Sequence, residues 1–293
     1  MLYAGKLCKL IVLIVLIGSS KNLLVKVISR KPCWGILRDY TQGKLDYLKW
    51  WAIGLSEGEG SFTSSNGYPR FQIELNKRDV SVLYKVKRIF GVGKVYLNEK
   101  NSTYMYIVTN KANLLRVIEL FNGRLMLSKR QNQFKTWVGL FNKCYGTNIK
   151  VNSFEGDCKE VINNTAWLGG LIDGEGHFGI RMRGKAYEHR FFLYNKGEID
   201  LYRIIGNVIC LTHGGITGNA RLSISASVNK DTVAFDNLIG YLTRFPLQST
   251  KRVAYAHWLK ALRILKDERN QKTKKGVIKL LRAVKNVNQY YPK

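Results

Sequence analysis

The sequence predicts an α+β fold made of two pseudo-symmetric units, each running helix, two strands, helix, two strands, helix. Three observations support it. A phrase occurs twice: Trp51–Phe62 reads WAIGLSEGEGSF and Trp167–Phe178 reads WLGGLIDGEGHF, which sets Glu59 and Glu175 116 residues apart in matching contexts. A repeat at fixed offset marks a duplicated structural unit. After each copy, period-two and period-3.6 apolar patterns follow in the same order. The chain has 293 residues, 45% hydrophobic and 12% aromatic, enough to bury a core.

Residues 1–45 read as a basic and apolar leader outside the repeat. Leu10–Ile17 is an unbroken apolar run flanked by Lys6, Lys9 and Lys21. It falls short of the roughly 20 residues that cross a bilayer. It resembles a signal-peptide core, or else a translated leader with no role in the fold; high charge and unpaired cysteines favour the second. The first unit covers 46–141. Its opening helix, Asp46–Leu55, has Asp46 near its start and should close at Glu57-Gly58, where glycine accepts a left-handed backbone. Arg70–Leu75 alternates as a strand with one polar face. Asp79–Phe90 has helical spacing, with Val82, Val86, Ile89 and Phe90 on one side. Gly91-Val92-Gly93 is a turn, Lys94–Leu97 and Tyr104–Thr109 pair as a hairpin, and Lys111–Phe121 and Arg130–Phe141 are helices.

The polar, Gly-containing segment 142–164 reads as a linker. The second unit, 165–266, repeats the order: motif helix, strands His177–Arg183 and His189–Asn195, helix Glu198–Ile209, an alternating strand Arg221–Val228, then helices Asp231–Tyr241 and Lys251–Lys266. The basic tail, 267–293, places Val277, Leu280, Leu281, Val284 and Val287 on one helical side, which predicts a docked final helix.

The net charge is +28 and the pI about 10.0. So much positive charge repels itself in a compact fold unless a polyanion uses it. Nucleic acid is the first partner class and an anionic membrane surface the second. Five cysteines, Cys8, Cys33, Cys144, Cys158 and Cys210, form no C-x-x-C pair. They read as reduced thiols and exclude a disulfide scaffold or a zinc ribbon.

The repeated phrase carries the chemistry. Glu59 and Glu175 each sit at the carbonyl end of a helix, where the dipole is already negative. A carboxylate there needs a compensating cation. Two such ends brought together make a pocket for a hard divalent ion with oxygen ligands, most naturally Mg²⁺. Close approach of the helices needs small residues, and Gly54, Gly169 and Gly170 supply them. Glu57 and Asp173, two residues before each glutamate, are expected to cap or brace the helix ends.

These two phrases resemble the LAGLIDADG motif of homing endonucleases and their group I intron maturase relatives, in the single-chain, two-motif form. The resemblance spans about Asp46 to Lys266. It implies a saddle of two αββαββα units whose motif helices pack at the pseudo-dyad and whose antiparallel sheets lie along the DNA major groove. It implies that Glu59 and Glu175 are catalytic metal ligands, assisted by the carbonyls of Gly58 and Gly174. It also implies a basic residue near the start of each closing helix. Ser128-Lys129-Arg130 and Thr250-Lys251-Arg252 match that place, making Lys129 and Lys251 the candidates. Departures are Ile53 and Ser56 in the first motif, and Leu75 and Tyr194 where relatives often carry a polar residue.

Polar strand positions are the candidates for DNA contact: Arg70, Gln72 and Glu74 in one unit, Arg181, Arg183, Arg221, Ser223 and Ser225 in the other. Arginine can bind guanine bidentately and glutamine adenine. The function expected is a Mg²⁺-dependent, site-specific double-strand DNA endonuclease promoting intron homing, acting as a monomer with an internal two-fold. The alternative is an RNA maturase that binds group I intron RNA without cutting. A basic ribosomal protein leaves the repeated glutamates unexplained. The resemblance places such chains mostly in organellar introns, the mitochondrion first and the chloroplast as alternative. No membrane partner is expected.

Overall fold

A computed structural model describes residues 33–183, 186–194, 198–209, 214–217, 221–227, 232–267 and 273–289, with side chains from residue 46 onward except at 183, 214–217, 221–227 and 232–233. The apolar run Leu10–Ile17 lies outside the described residues. The chain divides into a short unit, 1–40, and a large one, 41–293, which holds both repeated phrases and both sheets.

The first repeat contains α1 (Cys33–Glu59), β1 (Gly60–Ser65), β2 (Tyr68–Asn76), α2 (Val80–Phe90), β3 (Lys94–Asn98), β4 (Thr103–Val108), α3 (Lys111–Phe121) and α4 (Ser128–Tyr145). After α5 (Cys158–Asn164) the second contains α6 (Trp167–Glu175), β5 (Gly176–Arg183), β6 (Ala186–Tyr194), α7 (Ile199–Val208), β7 (Gly214–Thr217), β8 (Arg221–Ser227), α8 (Asp236–Arg244) and α9 (Lys251–Lys266). A last helix, α10, covers Lys274–Gln289.

Each repeat forms one antiparallel four-stranded sheet with the same order, β1-β2-β4-β3 and β5-β6-β8-β7. Strand β2 shows why one face is core. Phe71 and Ile73 are fully buried while Arg70, Gln72 and Glu74, between them, face the other way. The β1–β2 turn is Asn66-Gly67, with φ of 51° and 80°. Both centres are left-handed, the two-residue turn whose twist matches that of paired strands. Ser65 therefore pairs with Tyr68, and this register carries Gly60 to Ile73.

The motif stretches of α1 and α6 are buried all round. Trp51–Gly58 is buried or nearly so, as is Trp167–Gly174, which is the pattern of a helix enclosed on every side. Among the described residues no helix is long and apolar enough to cross a membrane.

Several expectations need correction. The opening helix does not start at Asp46 but at Cys33, taking in the end of the supposed leader. It runs on to Glu59, and Gly58 has no left-handed φ. The linker is partly helical: α4 continues to Tyr145, and Asp157 caps α5 by accepting from the Lys159 amide at 2.8 Å. Strands β1 (GSFTSS) and β7 (GGIT) were not separately foreseen, because each carries a single large apolar residue. On α10 the docked side is Gly276, Leu280, Ala283 and Val287, whereas Val277 and Leu281 are 41% and 49% exposed. The Asn288 side chain fixes that orientation. It donates to the Ile180 carbonyl at 2.9 Å and accepts from the Ile180 amide at 3.5 Å, covering part of edge strand β5.

Candidate active site at the crossing of the motif helices

Helices α1 and α6 touch backbone to backbone. A methyl group at Gly54 would overlap the carbonyl oxygen of Trp167, and one at Gly170 would overlap that of Trp51. Gly54 and Gly170 are equivalent in the repeat, as are Trp51 and Trp167, so the contact is exchanged between the halves. That reciprocity is the mark of a two-fold interface. Gly169 takes no part in it. It faces Phe245 and Tyr241, and its amide donates to the Tyr241 hydroxyl at 3.0 Å.

One turn on, the helices bring the glutamates together. A Cβ built on Gly58 lies 3.5 Å from the Gly174 Cα and 3.2 Å from the Glu175 Cγ. The same construction on Gly174 meets Glu59 Cγ at 3.2 Å. Each glutamate thus lies over the other motif's glycine. Burial raises both carboxyl pKa values, and for Glu59 the facing Glu175 raises it further.

The acids two residues earlier hold the crossing closed. Glu57 is fully buried and accepts from the amides of Met126 and Leu127, at 2.6 and 2.7 Å, and from the Trp167 indole. Asp173 accepts from the Gln248 and Ser249 amides, at 2.7 and 3.0 Å, from the Ser249 hydroxyl, and from the Trp51 indole at 2.8 Å. They brace the starts of α4 and α9 rather than the ends of their own helices. Each indole comes from the opposite motif. Burial pushes Glu57 up to about 7 and raises Asp173, against the pull of these donors.

A cation sits at the carbonyl end of each motif helix, where unpaired carbonyls gather. Lys251 donates to the Gly174 carbonyl and, at 3.4 Å, to that of Ile172. Burial holds its pKa below the ordinary lysine range, while Glu59, Asp173 and Glu175 pull it up. In the first repeat the cation on the helix carbonyls is Arg130, while the charge of Lys129 pulls on Glu175 as that of Arg130 does. Arg130 donates to the Glu57 carbonyl at 2.7 Å and the Gly58 carbonyl at 2.6 Å, and to Gln133 at 2.8 Å. Lys129 is exposed, and its backbone amide donates to Glu198 at 3.0 Å. Arginine's longer, forked head spans two successive carbonyls from a position one residue later. Sequence reasoning passed over Arg130 even though it stands inside the S-K-R context.

The profile of the LAGLIDADG endonuclease family matches residues 52–141 and 168–262. The chain belongs to this family. Among curated relatives, "Probable intron-encoded endonuclease 4" of Neurospora crassa is 28% identical over 84% of this chain and 45% of its own length. "Intron-encoded RNA maturase bI4" of Saccharomyces cerevisiae is 28% identical over 46% of this chain and 20% of its own. The chain therefore spans less than half the length of either. Among solved structures, the I-LtrWI LAGLIDADG homing endonuclease bound to target DNA superposes with a TM-score of 0.65 at 19% identity, covering 82% of this chain and 97% of that one.

The outward strand faces of this LAGLIDADG chain differ from the sequence expectation in detail. Arg70 and Gln72 are half-buried on β2. Glu74 is not free: it accepts from Thr103 and, at 3.1 Å, from Asn98, which holds its pKa down. Arg181 pairs with Glu188 at 2.5 Å. Register puts Ser223 opposite Phe192 and Ser225 opposite Arg190, with Arg221 opposite Tyr194. The side chains of Arg183, Arg221, Ser223 and Ser225 lie outside the described set. The same face carries Lys94 and Tyr96, which the alternation of β3 exposes, and Arg190, whose guanidinium lies 4.4 Å from the Phe192 ring centre.

Proposed function

We propose that this chain is a site-specific double-strand DNA endonuclease that promotes intron homing. One observation carries the reading: two half-buried carboxylates, Glu59 and Glu175, meet over each other's glycines at the centre of a two-fold molecule. Like charges desolvated together are costly unless a cation or a reaction uses them. Among the described residues no three His, Cys, Asp or Glu side chains cluster to hold a metal. The donors at the crossing are all hard oxygens: two carboxylates, and the carbonyls of Gly58 and Gly174, each of which already accepts from Arg130 or Lys251. Mg²⁺ binds by one or two carboxylates and completes its shell with phosphate and water, so this set fits it. When bound, such an ion activates water and neutralises charge on the scissile phosphate.

The chain's own groups do the rest. Glu59 and Glu175 would hold the ion. Lys251 and Arg130 place positive charge beside the position of the phosphate and offset developing negative charge. The outward strand faces fix register and read bases. Binding by a chain of charge +28 should weaken steeply with salt. The names of the intron-encoded relatives support action in an organelle, the mitochondrion first.

The test is a labelled duplex spanning the intron insertion site, incubated with the chain and Mg²⁺. Cuts in both strands that vanish in Glu175→Gln and Glu59→Gln support the reading. Undiminished cutting in either variant overturns the metal assignment. Tight binding to intron RNA with intact DNA would instead make the chain a maturase.

A further inference from the structure

The closing helices α4 and α9 are each held by acids from both repeats. Leu127 and Thr250, which directly precede them, make no side-chain cap of their own. Glu57 and Asp173 serve them from within the same repeat. A second acid arrives from the other repeat. Asp79 of the first repeat accepts from the amide and the hydroxyl of Thr250, both at 2.7 Å. Glu198 of the second accepts from the Lys129 amide at 3.0 Å and the Ser128 hydroxyl at 3.3 Å.

These two acids occupy matching places. Asp79 directly precedes α2 and Glu198 directly precedes α7, each the N-cap of its repeat's middle helix. An acid there ordinarily accepts from its own helix's free amides. Neither does so; both reach across to the opposite repeat's closing helix. The first turn of that helix carries the cation: Lys251 follows Thr250, and Arg130 follows Lys129. Lys85 adds to the first tie by donating to Gln248 at 2.5 Å, just ahead of α9.

We propose that Asp79 and Glu198 are positioning residues through which each repeat sets the cation of the other, so that each half-site is completed by an acid of the opposite repeat. The proposal rests on the endonuclease reading. Asp79 places Lys251 against the Gly174 carbonyl; Glu198 places Arg130 against the Gly58 carbonyl. Neither acid bonds to the glutamates of the crossing, although the charge of Asp79 reaches it and raises the pKa of Glu59 and of Lys251. A displacement of about 1 Å at a catalytic group can lower a rate roughly a hundredfold.

The experiment is single-turnover cleavage of a duplex spanning the insertion site, with each strand carrying its own end label, in Mg²⁺. Asp79→Ala should slow one strand roughly ten- to a hundredfold and the other much less. Glu198→Ala should slow the opposite strand. Asp79→Asn, which keeps the accepting oxygen, should restore the rate and the balance between strands. Equal slowing of both strands by both variants, or no slowing, overturns the proposal. If Asp79→Ala does not fold, Thr250→Val removes one of the two donors and is judged by the same strand bias. Amide exchange at Thr250, faster in Asp79→Ala than in wild type, reads the tie without any cleavage. A wild-type chain that cuts neither strand defeats the endonuclease reading and leaves that exchange measurement standing by itself.

Discussion

Gly54→Ala and Gly139→Ala are the same chemical change with opposite expected signs. Both glycines are helical, so alanine brings about 1 kcal/mol of helix propensity at either place. On the exposed side of α4, a methyl at Gly139 meets nothing within 4 Å. That variant should gain roughly 0.5–1 kcal/mol. At Gly54 the methyl overlaps the Trp167 carbonyl and lies 3.1 Å from the Leu171 nitrogen. The obstacle is the backbone of a buried helix, so no side-chain rotation relieves it. The helices must separate by about 1.5 Å to restore van der Waals contact. Overpacking of this kind costs about 1–3 kcal/mol. The same separation stretches both indole-to-carboxylate bonds, each buried and worth about 1–3 kcal/mol to keep satisfied. Set against the propensity gain, a net loss of roughly 2 kcal/mol or more is expected, rising toward about 8 if both bonds are lost outright. Urea unfolding of the three proteins, compared at fixed pH and salt, measures it. DNA cleavage should fall at least tenfold in Gly54→Ala, because the two glutamates move with their helices. A Gly54→Ala protein as stable as Gly139→Ala would refute the backbone contact and the site built on it.

The geometry sets three further outcomes. His189 is 1% exposed against Trp258, and burial lowers its pKa from 6.5 to about 4. The unfolded chain takes up that proton as pH falls through 6.5 and the folded chain does not until about 4. Stability present above 6.5 is therefore lost on the way down, by about 3 kcal/mol. His189→Phe should recover that amount relative to wild type between pH 7.5 and 4 in chemical denaturation; a pH-independent difference would contradict the burial argument. Leu280→Ala should cost about 2–5 kcal/mol and Leu281→Ala less than about 0.5 kcal/mol, since only the first is buried. Equal losses in a melting comparison would mean that α10 docks on another side. Glu59→Gln removes a half-buried like-charge contact, so its urea midpoint in chelator at pH 8 should exceed that of wild type while cleavage in Mg²⁺ is lost. A lower midpoint would show that the two carboxylates are not in conflict.

The repeated phrase made the essentials legible. Two acid-Gly-Glu-Gly endings after apolar helices located the crossing, and alternation found the polar face of β2. What stayed hidden depended on reach and register rather than on residue type. No local pattern tells that Arg130, one residue past Lys129, spans two carbonyls. Gly169 and Gly170 are adjacent in sequence, yet helical rotation sends one to Phe245 and the other to Trp51. Strands β1 and β7 were obscured because serine, threonine and glycine give no apolar alternation. On α10 the apolar residues at 277, 280, 281, 284 and 287 cover too wide an arc for spacing to choose the buried side. The acids Asp79 and Glu198 looked like ordinary helix starts, and their partners lie 171 and about 70 positions away.

The swapped indoles bear on how such molecules can be recombined. Trp51 satisfies Asp173 and Trp167 satisfies Glu57, so neither repeat contains both ends of its own bond. A hybrid joining one repeat from this chain to one from a distant relative would keep its motif sequences and still deprive a buried carboxylate of one of its donors wherever the incoming partner lacks tryptophan at the start of its phrase. Exchange of halves should therefore succeed when the opening tryptophan and the first acid of the motif travel together, and grafting of DNA-reading strands alone should be far better tolerated.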